Sequence, residues 1–242
     1  MRYMGSKRRI AKYIVPIIHE KLKTSGFTTY VEPFCGGCNI IDKVECEKRI
    51  ACDNNPYLIA LLQNTFLLRF LPDTVPRSHY NEVRESYKQN AHKFPDWYIG
   101  AIGFLSSYSG KFFGGFAGST SGRNYFREMS SNLIRQSDGL CGVEFMCGDY
   151  RETCSNIENA VIYCDPPYKG TTSYMYSKGF DSEAFFDWCR DMSKKNIVLI
   201  SEQTGRYDFE CILEVPLNMT VGEDNGQALQ NKRIEKLFIY KG

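Results

Sequence analysis

Apolar positions recur along this chain with two periods, and the switch between them divides it. In residues 6–22, Ile10, Tyr13, Ile14, Ile17 and Ile18 share one side of a helical repeat, with Lys12, His19 and Lys23 opposite. Residues 28–32 read as a strand, followed by Pro33-Phe34-Cys35-Gly36-Gly37 and a helix predicted from Asn39. Residues 49–52 form a second short strand, closed by Asp53-Asn54-Asn55-Pro56. Pro56 suits the first turn of a helix running from Tyr57 to about Phe70. Strand, glycine turn, helix, strand and acid, in that order, predict a βαβ unit and so a parallel sheet.

Pro72 and Pro76 mark a boundary beyond which the sheet pattern stops until about Leu140. Helical stretches at residues 80–91 and 97–107 flank a loop rich in glycine and aromatic residues. Strand-like runs resume at 143–146, 161–164, 197–201, 211–215 and 237–240. The pattern predicts one α/β domain, residues 1–70 and 141–242, interrupted by a small, mainly helical and loop insert at 71–140.

The most informative motif is Asp165-Pro166-Pro167-Tyr168, behind the apolar run 160–164. Neither proline can donate a backbone hydrogen bond, so the strand ends there. Asp165 and Tyr168 then sit on a stiff loop at the carboxyl edge of the sheet, where open α/β folds bind ligands. A hydrogen-bond acceptor beside a flat ring suits an amino group on a planar heterocycle, although Asp-Pro also starts ordinary turns.

Glu32-Pro33-Phe34-Cys35-Gly36-Gly37-Cys38-Asn39, with Asp53 after the next strand, is the second motif. Its glycines let backbone approach a ligand, and an acid at position 53 can grip ribose hydroxyls. The phosphate-cradling pattern G-x-G-x-x-G is absent, which fits a nucleoside-type cofactor without a pyrophosphate. The plain alternative is a glycine turn with Asp53 as a helix cap. Gly148-Asp149-Tyr150 offers an acceptor for an adenine amino group and a ring nearby, although Gly-Asp also marks turns.

Composition and charge narrow the partners. With 242 residues, 43% hydrophobic and 24% charged, the chain can build its own core. A net charge of +2 excludes a polycation, so any nucleic-acid surface must be local. Residues 104–127 supply one, with Lys111, Arg123 and Arg127 and no acid. Phe104, Tyr108, Phe112, Phe113, Phe116, Tyr125 and Phe126 interleave with glycines there, and exposed rings can stack on bases. The alternative places half of these rings in the core. Lys7-Arg8-Arg9 and Lys12 form a second basic cluster. The ten cysteines read as reduced and intracellular, since Lys12 and Pro16 break any early apolar span. Cys35, Cys38, Cys46 and Cys52 lack zinc-ribbon spacing and the three histidines lie elsewhere, so no metal is expected.

Tyr3-Met4-Gly5-Ser6-Lys7, the Glu32 to Gly37 motif, Asp53, Gly148-Asp149-Tyr150 and Asp165 to Tyr168 occur in an order that resembles the Dam-like DNA adenine-N6 methyltransferases. The resemblance implies S-adenosylmethionine as cofactor and a Rossmann-like, mostly parallel sheet whose last strand runs antiparallel. It implies cofactor contacts at Tyr3, Lys7, Phe34, Cys35, Gly36, Asp53, Asn54, Asp149, Tyr150 and Asp165, with Asp53 on the ribose and Asp149 and Tyr150 at the adenine. It makes Asp165, Pro166 and Tyr168 catalytic: Tyr168 stacks on an adenine flipped from double-stranded DNA, and the Asp165 carboxylate and Pro166 carbonyl accept its amino hydrogens. The insert becomes the target-recognition region, with Lys111, Arg123 and Arg127 on DNA. A cytoplasmic, bacterial or phage-encoded protein follows, monomeric or weakly dimeric, needing neither membrane nor metal.

Two departures stand out: Cys38 replaces a frequent glycine, and residues 108–127 resemble the recognition hairpin only loosely, so no target sequence carries over. Competing readings are an N-methyltransferase for RNA or a protein amide, a DNA-binding relative without catalysis, and a dinucleotide oxidoreductase. Asp at position 165 and the basic aromatic insert favour a nucleic-acid base.

Overall fold

The computed structural model describes residues 1–118, 122–167, 180–224 and 227–242, with 218–224 and 227–233 described by their backbone. One sheet contains β1 (Thr29–Glu32), β2 (Lys48–Asp53), β3 (Val143–Cys147), β4 (Ala160–Cys164), β5 (Ile197–Glu202), β6 (Phe209–Asp224) and β7 (Gln227–Tyr240), in the order β3-β2-β1-β4-β5-β7-β6. β1 to β5 pair in parallel, and β7 runs antiparallel between β5 and β6. The mostly parallel sheet with an antiparallel final strand therefore forms as expected. Its order reverses between β1 and β4, and the carboxyl ends of these two strands flank the crevice in which such sheets bind ligands.

Helices cover both faces. α1 (Ala11–Ser25), α2 (Pro56–Gln63), α3 (Arg77–Lys88), α4 (Asp96–Leu105) and α5 (Tyr125–Gln136) share one core with Tyr30, Tyr163, Leu199 and Leu237. α6 (Tyr150–Thr153) and α7 (Ser182–Met192) cover the other face, where Val31, Ile162, Ile200, Phe185 and Phe186 pack. The alternation Tyr30/Val31, Ile162/Tyr163 and Leu199/Ile200 sends neighbouring side chains to opposite faces. β4 is buried at every position, as a central parallel strand must be. Asn55 caps α2 through its side-chain oxygen, which accepts from Tyr57 and Leu58 N–H, and Pro56 occupies the first turn. α1 closes on Gly26, whose left-handed φ of 75° lets its N–H return to the Leu22 carbonyl.

Four departures from the sequence pattern have local causes. The helix predicted from Asn39 is only a short turn, Ile41–Lys43. Left-handed backbone at Gly36 (φ 46°) and Cys38 (φ 53°) bends the chain, and Ile40, Ile41 and Val44 are then all buried, leaving no solvent face for a helix. The helix after Pro56 ends at Gln63 and tightens into the turn Thr65–Phe70. β6 and β7 extend to 16 and 14 residues, well beyond the apolar runs at 211–215 and 237–240. Residues 222–233 are mostly polar, so periodicity could not extend the strands through them. The sequence pattern predicts neither α5 nor α7, although Phe126, Met129 and Leu133 carry helical spacing.

Helices α3, α4 and α5 build no core of their own. Tyr80, Val83, Ile102, Leu105, Met129 and Leu133 join the same apolar cluster as Ile14 and Tyr163. Among the described residues, no helix is long and apolar enough to cross a membrane. α4 meets α2 so closely that a side chain at Gly100 would collide with the Tyr57 carbonyl. Gly100→Ala should therefore destabilise the fold by about 1–3 kcal/mol, since neither helix backbone can yield cheaply. The urea unfolding midpoint measures this, and an unchanged midpoint would contradict the tight helix contact.

Candidate active site

The site begins at the first residues. Gly5, at φ 81°, turns the chain so that Ser6 N–H donates to the Tyr3 carbonyl at 3.1 Å. The Ser6 hydroxyl then accepts from Arg8 N–H at 3.2 Å and starts the short helix Lys7–Arg9. Of these three consecutive cations, only Lys7 is buried; Arg8 and Arg9 are exposed. Its ammonium lies 2.7 Å from Asp165 Oδ1 and 3.5 Å from Glu235 Oε2. A buried ammonium is tolerable only with such partners.

Asp165 is the first residue beyond β4; Pro166 behind it is buried and Pro167 half-buried. Tyr168 lies outside the described residues. At the end of neighbouring β1, the buried Glu32 accepts a hydrogen bond from the Tyr30 hydroxyl at 2.8 Å. Burial pushes the Glu32 carboxyl up to about 8; the Tyr30 hydroxyl opposes this, and the nearby Asp42 and Asp165 charges add to it. On β4 and β5 the Tyr163 and Ser201 hydroxyls share a hydrogen bond of 2.8 Å. Burial also raises the Glu202 carboxyl at the end of β5.

The glycine loop is pinned to β2. Cys35 N–H donates to the Cys52 carbonyl at 2.8 Å, and Gly36 N–H donates to Asp53 Oδ2 at 3.1 Å. Asp53 Oδ1 accepts from Asn55 N–H at 3.0 Å, and Asn54 beside it is exposed. Burial pushes the Asp53 carboxyl up to about 6 against the pull of these backbone N–H groups. Tyr3 lies directly on the loop: a Cβ at Gly36 would stand 2.8 Å from Tyr3 Cε1, and one at Gly37 2.7 Å from Tyr3 Cβ. Burial raises the Cys35 and Cys38 thiols, which makes them poor nucleophiles and metal ligands. Among the described residues, no group of metal-ligating side chains assembles.

The third motif joins through Gly148, whose N–H donates to the Asp53 carbonyl at 3.1 Å. Asp149 caps α6, and Arg151 grips both of its carboxylate oxygens at 2.8 and 2.9 Å. That guanidinium holds the Asp149 carboxyl below the usual carboxylate range. The Phe34 ring packs 5.1 Å from Tyr150 and edge-on to Phe180 and Phe185. The described candidate residues thus join in pairs around one sheet edge: Tyr3 with Gly36, Gly36 with Asp53, Lys7 with Asp165, and Phe34 with Tyr150.

The insert corrects the aromatic expectation. Phe104 and Phe126 are buried in the main core, and Phe112, Phe113 and Phe116 pack against it. Tyr108 alone of the seven rings is exposed, at 60%. Its neighbour Gly110 abuts the Arg2 carbonyl, so this loop touches the segment carrying Tyr3 and Lys7. Arg123 is paired with both oxygens of Glu128 at 2.6 and 2.8 Å, Arg127 lies 3.5 Å from Asp73, and Lys111 is half-buried. Both acids fall outside the acid-free stretch that made the segment look purely basic.

Sequence reasoning left Glu32 and Glu235 unassigned. Glu235 has a legible signal in retrospect, because it alternates in phase with the core residues Leu237 and Ile239.

A family model for D12 class N6 adenine-specific DNA methyltransferases matches residues 3–205. The chain is 27% identical over 210 residues to the type II methyltransferase M.FokI of Planomicrobium okeanokoites, across 78% of this chain and 31% of that protein. It is 28% identical over 161 residues to a DNA adenine methylase of Vibrio cholerae, across 57% of this chain and 55% of that one. The chain spans about half the length of these relatives or less. A solved rRNA methyltransferase, aviRa from Streptomyces viridochromogenes, superposes with a TM-score of 0.44 and 12% identity, covering 97% of this chain and 85% of the other.

Gly36 provides a test of the loop geometry. Gly36→Ala should cost about 1–3 kcal/mol through backbone strain and the clash with Tyr3. Adding Tyr3→Ala should recover part of that loss, so the two changes should be sub-additive by about 1 kcal/mol in denaturant unfolding. Strict additivity would separate Tyr3 from the loop.

Proposed function

The chain belongs to the D12 class N6 adenine-specific DNA methyltransferase family, and we propose that it transfers the methyl group of S-adenosylmethionine to N6 of an adenine in double-stranded DNA. The observation that carries this reading is the Lys7–Asp165 pair at the end of β4, next to the glycine loop of β1 at the point where strand order reverses. A carboxylate held by an ammonium beside a glycine loop supports an acceptor next to a nucleoside-type cofactor.

The residues present fit the cofactor. Gly36 and Gly37 carry no side chain, so Tyr3 closes directly on the loop, and a backbone without side chains would let a ligand approach it closely. Asp53, presented at the end of β2, would take the ribose hydroxyls, with Asn54 beside it. Phe34 and Tyr150 would flank the adenine ring and Asp149 its amino group, once Arg151 gives way. Tyr3, Lys7, Cys35 and Asp165 complete the cradle. When bound, S-adenosylmethionine supplies an electrophilic methyl group on a sulfonium.

The protein's own part is positioning. Asp165 and the Pro166 carbonyl accept the two amino hydrogens of an extruded adenine, which aims the nitrogen lone pair and polarises the N–H bond that must break. Tyr168, outside the described residues, would stack on the base. Tyr108, Lys111, Arg123 and Arg127 would contact DNA, with the arginines exchanging Glu128 and Asp73 for phosphates.

Two measurements test this. Asp165→Ala should lower the methyl-transfer rate about a hundredfold or more while cofactor binding persists. The assay is labelled transfer to genomic DNA, followed by mapping of N6-methyladenine. A near-normal rate in the variant would remove Asp165 from the mechanism, and a wild-type protein that modifies no DNA would overturn the function.

The second is a pH series of cofactor affinity by calorimetry. The anionic form of Asp53 is the one that accepts two hydroxyl hydrogens, and its carboxyl ionises only at about 6. Affinity should therefore strengthen as pH rises, by up to about tenfold per unit below that value, and level off above it. The same shift favours the neutral acid in the free fold. Its stabilising contribution is full below the ordinary Asp range and is lost as pH rises through about 6. Asp53→Asn should bind weakly at every pH, and a wild-type affinity that ignores pH would take Asp53 out of the ribose site.

A further inference from the structure

Building on the function proposed above, we infer that Glu235 is a positioning residue for methyl transfer: from β7 it anchors the Lys7 ammonium so that Lys7 holds Asp165 in one orientation. The family match ends at residue 205, so it covers Lys7 and Asp165 but not Glu235.

The geometry is a triangle drawn from three separate parts of the chain. Lys7 rides on a helix of three residues near the amino terminus, and Asp165 follows the last residue of β4. Both are positions of weak local restraint. Glu235 sits within β7, which is hydrogen-bonded on both sides, pairing Val215 of β6 with Glu235 itself and Glu202 of β5 with Lys236. It is buried, as is Lys7. Its phase along β7 is that of Leu237 and Ile239, so it points to the sheet face that carries Tyr30 and Tyr163.

A lysine ammonium is a compact charge on a flexible four-carbon stem. One carboxylate fixes its distance but leaves its direction free. Two carboxylates from different parts of the sheet fix both, and the contacts of 2.7 Å to Asp165 and 3.5 Å to Glu235 supply that pair. The ammonium so held occupies Asp165 Oδ1 and sets the plane of the carboxylate that must meet an amino hydrogen. A neighbouring acid makes this necessary. Glu202 from β5 acts electrostatically on the same site and would push Asp165 away were Lys7 to leave. Catalysis by positioning is sensitive to such a displacement.

The test uses the full chain with Glu235→Gln, which keeps shape and removes charge. Three readouts are taken: initial rates on genomic DNA with labelled S-adenosylmethionine, cofactor affinity by calorimetry, and acetylation of Lys7 by acetic anhydride followed by peptide mass spectrometry. We expect kcat to fall about tenfold or more, with cofactor Kd and DNA KM within about threefold, and Lys7 acetylation to quicken about fivefold. Lys7→Met removes the group through which Glu235 acts and leaves no unpaired ammonium. The double variant should therefore fold and match Lys7→Met in rate within about threefold. Unchanged Lys7 acetylation, or a further tenfold loss (about as large as in the wild-type background) when Glu235→Gln is added to Lys7→Met, overturns the proposal. If the wild-type protein methylates no DNA, the function fails, and the acetylation readout still decides whether Glu235 holds Lys7.

Discussion

The buried ammonium of Lys7 is the constraint on which the rest of the site depends. A charge removed from water is costly unless paired, and the two carboxylates that pair it come from just beyond β4 and from β7. From Lys7 to Glu235 the three residues span most of the chain, so the pairing exists only when the sheet is complete to its antiparallel strand. The amino-terminal turn is thereby tied to the sheet edge. Tyr3, four residues earlier, is laid across Gly36 and Gly37 by the same tie. The glycine loop in turn lends its Gly36 N–H to Asp53, and Asp53 lends its carbonyl to Gly148. One buried charge thus aligns three loops that the sequence places far apart.

Much of this was legible in the chain. β4 announced itself because every residue in Ala160–Cys164 is buried and the prolines after Asp165 forbid its continuation. α2 was readable from its cap and Pro56. Pairing was not legible: nothing in local pattern says that Lys7, rather than Arg8 or Arg9, turns inward. That choice is made by Gly5 and the Ser6 cap, which set the phase of a three-residue helix. Glu235 was passed over for a related reason, since an acid in a strand is read as outward until the strand's phase is known. The missing helix after Asn39 followed from left-handed backbone at Cys38, which no residue type there foretells.

Composition misled most in the insert. Aromatic and basic residues interleaved with glycine have the look of a nucleic-acid surface, yet most of the rings serve the core. Tyr80 stacks its edge against Phe113 and tilts over Phe116, while Phe112 lies face to face with Tyr57 of α2. The glycines accommodate this packing: a Cβ at Gly103 would strike the Phe112 and Phe113 rings. The segment is therefore an apolar clamp with a thin basic rim, and that rim is what remains for a polyanion. Arg123 and Arg127 are exposed and already paired with acids, and such exposed pairs are worth little in water. Under the proposed function, exchanging them for phosphates would cost little, as a surface that binds and releases DNA would need.

Charge at the sheet edge follows a similar economy. Glu32, Asp165, Glu202 and Glu235 gather near a single ammonium, an arrangement that would repel itself if every acid were ionised. Burial resolves this by holding the Glu32 carboxyl at about 8, so that at neutral pH it is mostly protonated and carries little repelling charge. Asp53, at about 6, sits on the other side of neutrality and is mostly anionic there. The two acids at the ends of β1 and β2 are thus separated in protonation by burial and by the backbone N–H groups each receives. Neutral Glu32, and a Lys7 ammonium shared between Asp165 and Glu235, lower the negative charge of an edge that stays polar. Under the proposed function the cofactor's ribose would meet Asp53 and a neutral base would meet Asp165, and neither guest would have to displace the Lys7 pair.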